Sequence, residues 1–93
     1  MIRTFKDRRT ECVFNGELLK GFLSDLVSVA RRKLRMIHNA VRLDDLRAPP
    51  ANRLEVLKDD RKGQHSIRVN DQFRVCFVWK HGDAFDVEII DYH

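Results

Sequence analysis

The stretch from Arg53 to Trp79, RLEVLKDDRKGQHSIRVNDQFRVCFVW, decides the fold. Apolar and polar residues alternate along its second half, which is typical of strands that place one face on a core. The apolar positions are Ile67, Val69, Phe73, Val75, Phe77 and Trp79. Ser66, Arg68 and Arg74 fall on the opposite face, beside a charged turn at residues 58–63. Such a sheet carries its cations on the face that the core leaves free.

Further strands flank this stretch on both sides. Upstream, Leu54 and Val56 alternate with Arg53 and Glu55. Downstream, the turn residues 81–83 precede a last strand in which Phe85, Val87 and Ile89 alternate with Asp86, Glu88 and Ile90. Asn70-Asp71 and the turn at 81–83 are short connections, and strands joined by short turns are most simply antiparallel.

The N-terminal half is helical in pattern. A weak alternation over Ile2–Phe5 predicts a short strand, and Asp7 then caps a helix that runs through Phe14 and stops at Asn15-Gly16. A longer helix is predicted from about Ser24, a possible N-cap, to about Val41. Its apolar stripe comprises Leu23, Leu26, Val27, Ala30, Leu34, Ile37 and Val41, and its basic outer side comprises Arg31, Arg32, Lys33 and Arg35. We interpret that basic side as a solvated surface, with contact to nucleic acid or an acidic partner as the alternative.

These elements predict an α+β domain with N-terminal helices packed on a small twisted antiparallel sheet. Residues 43–46 form one further turn, which the prolines at 49 and 50 end. Neither the helical half nor the strand half is long enough to bury a core alone, so residues 1–93 are one domain.

The composition favours an anionic partner. Lys and Arg number 18 against 14 Asp and Glu, a net charge of +4, and the isoelectric point is about 9.4. This balance suits a partner rich in phosphate. Cys12 and Cys76 are too few for a disulfide framework and are expected in or near the core; no Cys/His grouping has zinc spacing. With no signal peptide and no apolar run of membrane-spanning length, we expect a cytoplasmic protein that does not bind membranes.

Six cations concentrate in the strand half. They are Arg53, Lys58, Arg61, Lys62, Arg68 and Arg74. Guanidinium groups suit phosphate because their fork donates two parallel hydrogen bonds, so converging cations could hold a nucleic-acid backbone. The alternative is that they pair with Glu55, Asp59, Asp60 and Asp71. Arg74 is the exception, because an unpaired charge between Phe73 and Val75 would be costly; it is expected to have a specific partner or ligand.

The triplet Asp91-Tyr92-His93 brings together a carboxylate, a phenol and an imidazole. If the chain ends at His93, the terminal carboxylate raises the imidazole pKa and poises an acid or base near neutral pH. The alternative is a frayed tail. Strict alternation puts Asp91 and His93 on one face and Tyr92 on the other, which only twist or a bulge could change. Trp79 is expected in the core, and His65 beside the charged turn is expected to be structural.

The combined motifs resemble a known family. Residues 53–63, 65–75 and 87–93 read RLEVLKDDRKG, HSIRVNDQFRV and VEIIDYH, and they are similar to the HigB branch of the RelE/ParE toxin superfamily. The similarity extends over essentially the whole chain, including the initial Met-Ile-Arg-Thr-Phe and the long basic helix. It implies a RelE-like fold.

The resemblance also implies a function. The family comprises bacterial toxins that cleave mRNA in the ribosomal decoding site, with no metal and no cofactor. Each is neutralised by a cognate helix-turn-helix (HigA-like) antitoxin, and reaches operator DNA only through that complex. The RNA 2′-hydroxyl attacks the neighbouring phosphate, so the protein must supply a base, an acid and cations. By residue-wise transfer, Lys58 and Arg74 match the phosphate-stabilising cations, and Asp91, Tyr92 and His93 match the catalytic group.

One position departs from the family pattern, because Glu55 stands where many relatives have histidine. A carboxylate could act as the base but would also repel phosphate, so a weaker or slower toxin is expected. Two other functions stay open: a non-enzymatic, ParE-like toxin that inhibits gyrase, and a purely structural role in which the basic surface docks the antitoxin. The Asp91–His93 ending and Lys58 argue against the gyrase inhibitor, since a binder needs neither.

Overall fold

The elements follow the order that the sequence pattern predicts. The computed structural model describes residues 1–17 and 24–91. Within these ranges the helices are α1 (Arg8–Asn15) and α2 (Ser24–Asn39), and the strands are β1 (Glu55–Val56), β2 (Gln64–Arg68), β3 (Phe73–Lys80) and β4 (Asp83–Asp91). Short 3₁₀ helices cover Leu43–Arg47, Pro50–Asn52 and Asp59–Arg61. Predicted features outside the described residues are Leu23, the capping side chain of Ser24, Tyr92 and His93.

The four strands form one antiparallel sheet in the order β1-β2-β3-β4. Ile67 lies opposite Val75, which lies opposite Ile89 on the other side, so one face of the sheet is a continuous apolar row. That face and the buried sides of the helices form one core, which also includes Phe77 and Val87. The predicted arrangement of helices on an antiparallel sheet is confirmed.

Helix α1 is bounded by the two residues predicted to bound it. The Asp7 carboxylate accepts a hydrogen bond from the Thr10 backbone N–H at 2.6 Å, which satisfies one of the free donors of the first turn. At the other end Gly16 adopts a left-handed conformation, φ 81°, and its N–H bonds back to the last turn. Glycine suits that position because it has no Cβ to clash there.

Helix α2 buries the predicted stripe but is shorter than predicted. Leu26, Ala30, Leu34 and Ile37 are all buried. The helix ends at Asn39, and Val41, predicted on the stripe, is 77% exposed. The Asp45 carboxylate accepts the backbone N–H groups of Val41 and Arg42, both at 2.9 Å, and so caps the next turn instead of letting α2 continue. This capping by Asp45 is a local effect that the spacing of apolar residues does not reveal.

Lys33 contradicts its predicted place on the basic outer side of α2. Its residue surface is only 6% exposed, and its Nζ donates to Asn52 Oδ1 at 2.6 Å. Arg32 and Arg35 are exposed, as predicted. The segment after α2 that contains Pro49 and Pro50 returns to this side of the helix, where its Asn52 bonds Lys33. No helical periodicity could indicate this contact.

Strand β4 contains a bulge that reverses the predicted facing of Phe85. Cys76 pairs with Glu88, but Val78 pairs with Phe85, so β4 has one extra residue opposite β3. Asp86, with φ 53°, lies in this irregular segment. Phe85 therefore shares a face with Val78 rather than with Val87 and Ile89, because an inserted residue changes the parity of every position before it.

The predicted strand at Ile2–Phe5 is reduced to two isolated parallel bridges, Ile2 to Ala84 and Phe5 to Val87. Between them the Asp86 N–H donates to the Thr4 hydroxyl at 2.8 Å rather than to a backbone carbonyl. The bulge in β4 thus prevents a continuous ladder. Val56 also differs from its predicted inward facing: it is exposed in the two-residue edge strand β1.

Candidate functional site

The sheet face opposite the helices carries a polar row across all four strands. Glu55 lies opposite Ser66, Ser66 opposite Cys76, and Cys76 opposite Glu88. Ser66 and Cys76 are fully buried, so the middle of this row is shielded from solvent. Burial raises the pKa of the Cys76 thiol to about 11. The thiol is therefore neutral and unreactive at physiological pH, in accord with its expected near-core position.

Arg74 projects from β3 onto this face and is 6% exposed. Its Nε donates to the Ser66 hydroxyl at 2.8 Å, and its Nη2 donates to the Arg53 backbone carbonyl at 2.7 Å. A third neighbour is the Glu55 carboxylate, whose Oε2 lies 3.8 Å from Nη2. The expectation that Arg74 has specific partners is confirmed. Two of these partners are neutral, and the carboxylate, 47% exposed, gives a weakly held ion pair.

Lys58 lies beside this group at the start of the 3₁₀ turn Asp59–Arg61. It is exposed, and no described residue forms a hydrogen bond or ion pair with its ammonium. A concave pocket of about 300 Å³ opens here, lined by Glu55, Val56, Leu57, Lys58, Asp59 and Arg61. The structure thus brings Lys58 and Glu55 together at one pocket, and Glu55 connects that pocket to Arg74.

Arg61 is also at the pocket, but its charge is engaged within the protein. Its Nη1 lies 2.7 Å from Glu88 Oε1 and 3.2 Å from Gln64 Oε1. Glu88 also lies 3.8 Å from Lys6 Nζ. The alternative interpretation paired the strand-half cations with nearby acids and did not include Glu88, because the contact depends on the strand pairing of β3 with β4. Alternation of charged residues on the β4 outer face was the available signal.

The other predicted RNA-binding residues differ in exposure and in whether an acidic residue already pairs with them. Arg68, directly opposite Arg74 on β2, forms an ion pair with Asp71, as the alternative interpretation expected. Lys62 is exposed next to the pocket turn. Arg53 contributes its carbonyl to Arg74, and the residue is exposed.

Asp91, at the end of β4, lies opposite Phe73 and accepts a hydrogen bond from Gln72 Nε2 at 3.0 Å. The preceding residue, Ile90, pairs with Arg74. Asp91 is therefore one position past the Arg74 register and alternates to the other face of the sheet. The placements predicted for Tyr92 and His93 lie outside the described residues.

His65 borders this region but faces the other way. It lies opposite Phe77, with ring centroids 6.1 Å apart, and its Nδ1 has no hydrogen-bond partner among the described residues. Burial lowers the pKa of the His65 imidazole. Trp79 packs edge-on against the same Phe77 at 6.4 Å and is half-buried against the core, as expected.

No three His, Cys, Asp or Glu side chains within residues 1–17 and 24–91 are placed to hold a metal ion together. Neither described helix has the length and apolar character needed to cross a membrane.

Comparison with known proteins relates the chain to a family. Residues 3–93 match the family described as "RelE-like toxin of type II toxin-antitoxin system HigB". The chain is 37% identical over 87 residues to Toxin HigB-1 of Vibrio cholerae, covering 92% of each chain. It is 30% identical over 93 residues to Endoribonuclease HigB of Proteus vulgaris, covering 100% of both.

Solved structures share the fold. The toxin–antitoxin complex YoeB–YefM of Staphylococcus aureus, in its heterotetrameric form, contains a chain with a TM-score of 0.62 and 15% identity, covering 100% of this chain and 98% of that one. A second YoeB–YefM structure gives a TM-score of 0.59. At this identity the likeness concerns the fold, and it confirms the predicted architecture of N-terminal helices on a small antiparallel sheet.

Proposed function

Because the chain belongs to the HigB family of RelE-like toxins from type II toxin–antitoxin systems, as its motifs predicted, we propose that it is a ribosome-dependent endoribonuclease that cleaves mRNA. One relative bears the name Endoribonuclease HigB, and our chain aligns with it over its full length. The proposal adds the dependence on the ribosome, the reaction and the residues that carry it.

The single observation that carries the proposal is the fixed guanidinium of Arg74 beside the Lys58 pocket. Two neutral acceptors set its orientation, and the half-exposed Glu55 carboxylate lies 3.8 Å from it. Burial strengthens the attraction of this guanidinium for an anion. Lys58 lines the same pocket as Glu55, the carboxylate paired with Arg74, and adds a second positive charge for a phosphodiester bound there.

The reaction follows from what RNA itself provides. The 2′-hydroxyl attacks the adjacent phosphorus, the bond to the 5′-oxygen breaks, and the products are a 2′,3′-cyclic phosphate and a 5′-hydroxyl. Lys58 and Arg74 stabilise the charge that builds on the phosphoryl oxygens. The base that takes the 2′-hydroxyl proton and the acid that protonates the leaving oxygen come from Glu55, Asp91, Tyr92 and His93.

The surrounding cations bind the RNA backbone. Arg53 and Lys62 are exposed and lie within two residues, along the chain, of residues that line the pocket, and Arg68 is on the same sheet face as Arg74. Arg61 contributes mainly by shaping the pocket, because Glu88 and Gln64 hold it. Each exposed lysine or arginine that neutralises one phosphate makes binding more sensitive to salt.

The partners follow from the family. The protein acts in the cytoplasm on translated mRNA at the ribosome, and a cognate helix-turn-helix antitoxin neutralises it and brings it to operator DNA. The neighbouring structures are complexes of a toxin with its antitoxin, which supports an antitoxin partner.

Primer extension on messages after brief induction tests the class of function. New 5′ ends are expected on translated messages and not on the same message lacking a start codon. Arg74→Ala and Lys58→Ala are expected to abolish these ends while the variants keep the wild-type circular dichroism spectrum. Lys80→Ala, which changes an exposed lysine at the far end of β3, is the matched control and is expected to cleave normally.

Two results would contradict the proposal. Cleavage retained in both the Arg74→Ala and the Lys58→Ala variants removes the phosphate-binding role of these cations. Induction of DNA damage without any mRNA cleavage assigns the protein to the gyrase-inhibiting toxins instead.

A further inference from the structure

The Arg74 guanidinium depends on a main-chain carbonyl that is held in an unusual place. Arg53, whose carbonyl accepts from Arg74 Nη2 at 2.7 Å, has φ 45° and ψ 59°. An L-residue other than glycine rarely adopts this left-handed conformation, and it persists only where the surrounding contacts determine it. Something next to Arg53 must therefore hold the backbone in this conformation.

The neighbouring residue, Asn52, provides those contacts. It is the last residue of the 3₁₀ turn Pro50–Asn52 and is 0% exposed. Its Nδ2 donates to the Leu46 carbonyl at 3.2 Å and to the Ala48 carbonyl at 3.3 Å. The side chain of Asn52 thus ties together the segment that connects α2 to β1, here called the connecting segment. It bonds Leu46 and Ala48, earlier in that segment, to the position directly before the left-handed Arg53.

Lys33 holds the other end of the Asn52 amide. Its ammonium, buried to the same degree as Arg74, donates to Asn52 Oδ1 at 2.6 Å, and a charged donor makes this bond strong. Burial, followed by the charges of Arg32 and Arg68, lowers the pKa of Lys33. A buried cation bonded to a neutral amide is a costly arrangement, and it fixes the connecting segment to α2.

We propose that Asn52, anchored by Lys33, is a positioning residue that aims the Arg74 guanidinium through the Arg53 carbonyl. The contacts run from Lys33 Nζ to the Asn52 amide, along the backbone to the Arg53 carbonyl, and from there to Arg74 Nη2. This role rests on the proposed function, since Arg74 is the cation that it aims at the phosphate. Neither Asn52 nor Lys33 touches the RNA.

The test uses Asn52→Asp, which keeps the size and the acceptor for Lys33 but removes both Nδ2 donors. Asn39→Asp makes the same chemical change at an exposed position at the end of α2 and is the matched control. The first readout is single-turnover cleavage of ribosome-bound mRNA by excess toxin. It gives the rate at saturating toxin and the toxin concentration that produces half of that rate, the half-saturating concentration. A small misplacement of a catalytic group costs up to roughly 100-fold. We expect Asn52→Asp to lower the saturating rate about tenfold or more on the same principle, with an unchanged half-saturating concentration.

The second readout does not need catalysis. In the free protein, NMR measures the hydrogen-exchange rate of the Arg74 side-chain N–H groups, assigned by their loss in Arg74→Lys. Asn52→Asp is expected to accelerate this exchange while the backbone amides of β3 keep their protection, and Asn39→Asp is expected to change neither. Lys33→Met, which removes the anchor and keeps the bulk, is expected to accelerate it as well.

The outcomes separate the two proposals. Accelerated Arg74 exchange in Asn52→Asp and Lys33→Met, in a protein whose wild type cleaves no RNA, leaves the positioning contacts in place and overturns the proposed function. Wild-type exchange in both folded variants, or a rise in half-saturating concentration with an unchanged saturating rate, overturns the positioning role. If Asn52→Asp does not fold, Lys33→Met alone decides by the same criteria.

Discussion

At the scale of single residues, burial and hydrogen bonding hold the Arg74 guanidinium in one orientation. A guanidinium on an exposed strand would sample many rotamers, but here Ser66 Oγ and the Arg53 carbonyl fix two sides of its plane. Orientation before the substrate arrives is what makes a charged group effective in stabilising a transition state. The groups that orient Arg74 therefore matter to its proposed role as much as its charge does.

Ser66→Ala is expected to weaken cleavage without removing any charge. The change leaves the buried Arg74 Nε–H without its acceptor, which costs about 1–3 kcal/mol of folding stability and loosens the guanidinium. The measurements are urea unfolding and the single-turnover cleavage rate. Ser28→Ala, at an exposed site on α2, is the control. Equal stability and equal rate in the two alanine variants would show that Ser66 does not hold Arg74.

Glu55→His is expected to make the toxin more active. The Glu55 carboxylate lies 3.8 Å from Arg74 Nη2 and lines the pocket with Lys58, so it competes with phosphate for both cations. A histidine removes that negative charge and still can accept a proton near neutral pH. Growth arrest and mRNA cleavage are compared at equal expression of the two proteins. Unchanged or weaker toxicity in the histidine variant contradicts the expectation.

At the scale of elements, helix α1 and the segment before it are fixed to the sheet by side-chain hydrogen bonds as well as by apolar packing. The Thr10 hydroxyl of α1 accepts the Ile89 backbone N–H of β4 at 3.0 Å, in a buried position. The Thr4 hydroxyl accepts the Asp86 N–H of the same strand at 2.8 Å, in an exposed position. The two bonds have the same chemistry and differ in whether water can replace the hydroxyl.

Thr10→Val is therefore expected to destabilise the fold by about 1–3 kcal/mol, because it leaves a buried backbone donor unpaired. Thr4→Val is expected to cost less than about 1 kcal/mol, since water can bond the freed Asp86 N–H. Chemical denaturation of both variants measures the difference. Equal losses would mean that water reaches the α1–β4 contact, or that both positions are equally protected from it.

At the scale of the whole molecule, the buried thiol of Cys76 links global stability to pH. Its pKa is raised by burial to about 11, from an ordinary value of 9.0 that applies when the chain unfolds. The folded state thus holds the proton more tightly, so this contribution is complete below about pH 9 and disappears as the pH rises towards about 11.

The free energy of unfolding is consequently expected to fall across this window, with a limiting slope of about 1.4 kcal/mol per pH unit from this one proton. Cys76→Ala removes the titrating group, so subtracting its stability curve isolates the thiol from lysines that titrate in the same range. Parallel curves for wild type and variant between pH 9 and 11 would exclude the linkage.

The sequence by itself determined the elements whose causes are local. The Asp7 cap, the Gly16 stop, the buried stripe of α2 and the alternation of β2 and β3 all follow from residue patterns that span a few positions of the chain. The need of Arg74 for a partner also followed, because its position among apolar neighbours implied burial.

Only the tertiary structure decided which groups meet. Lys33 is covered by a segment that returns from beyond α2, Arg61 finds Glu88 two strands away, and the bulge near Asp86 reverses the facing of Phe85. The acceptor for Arg74 is a backbone carbonyl, which every residue has and which no pattern of side chains distinguishes. Such contacts join residues that lie far apart along the chain, so they depend on packing and register rather than on local periodicity.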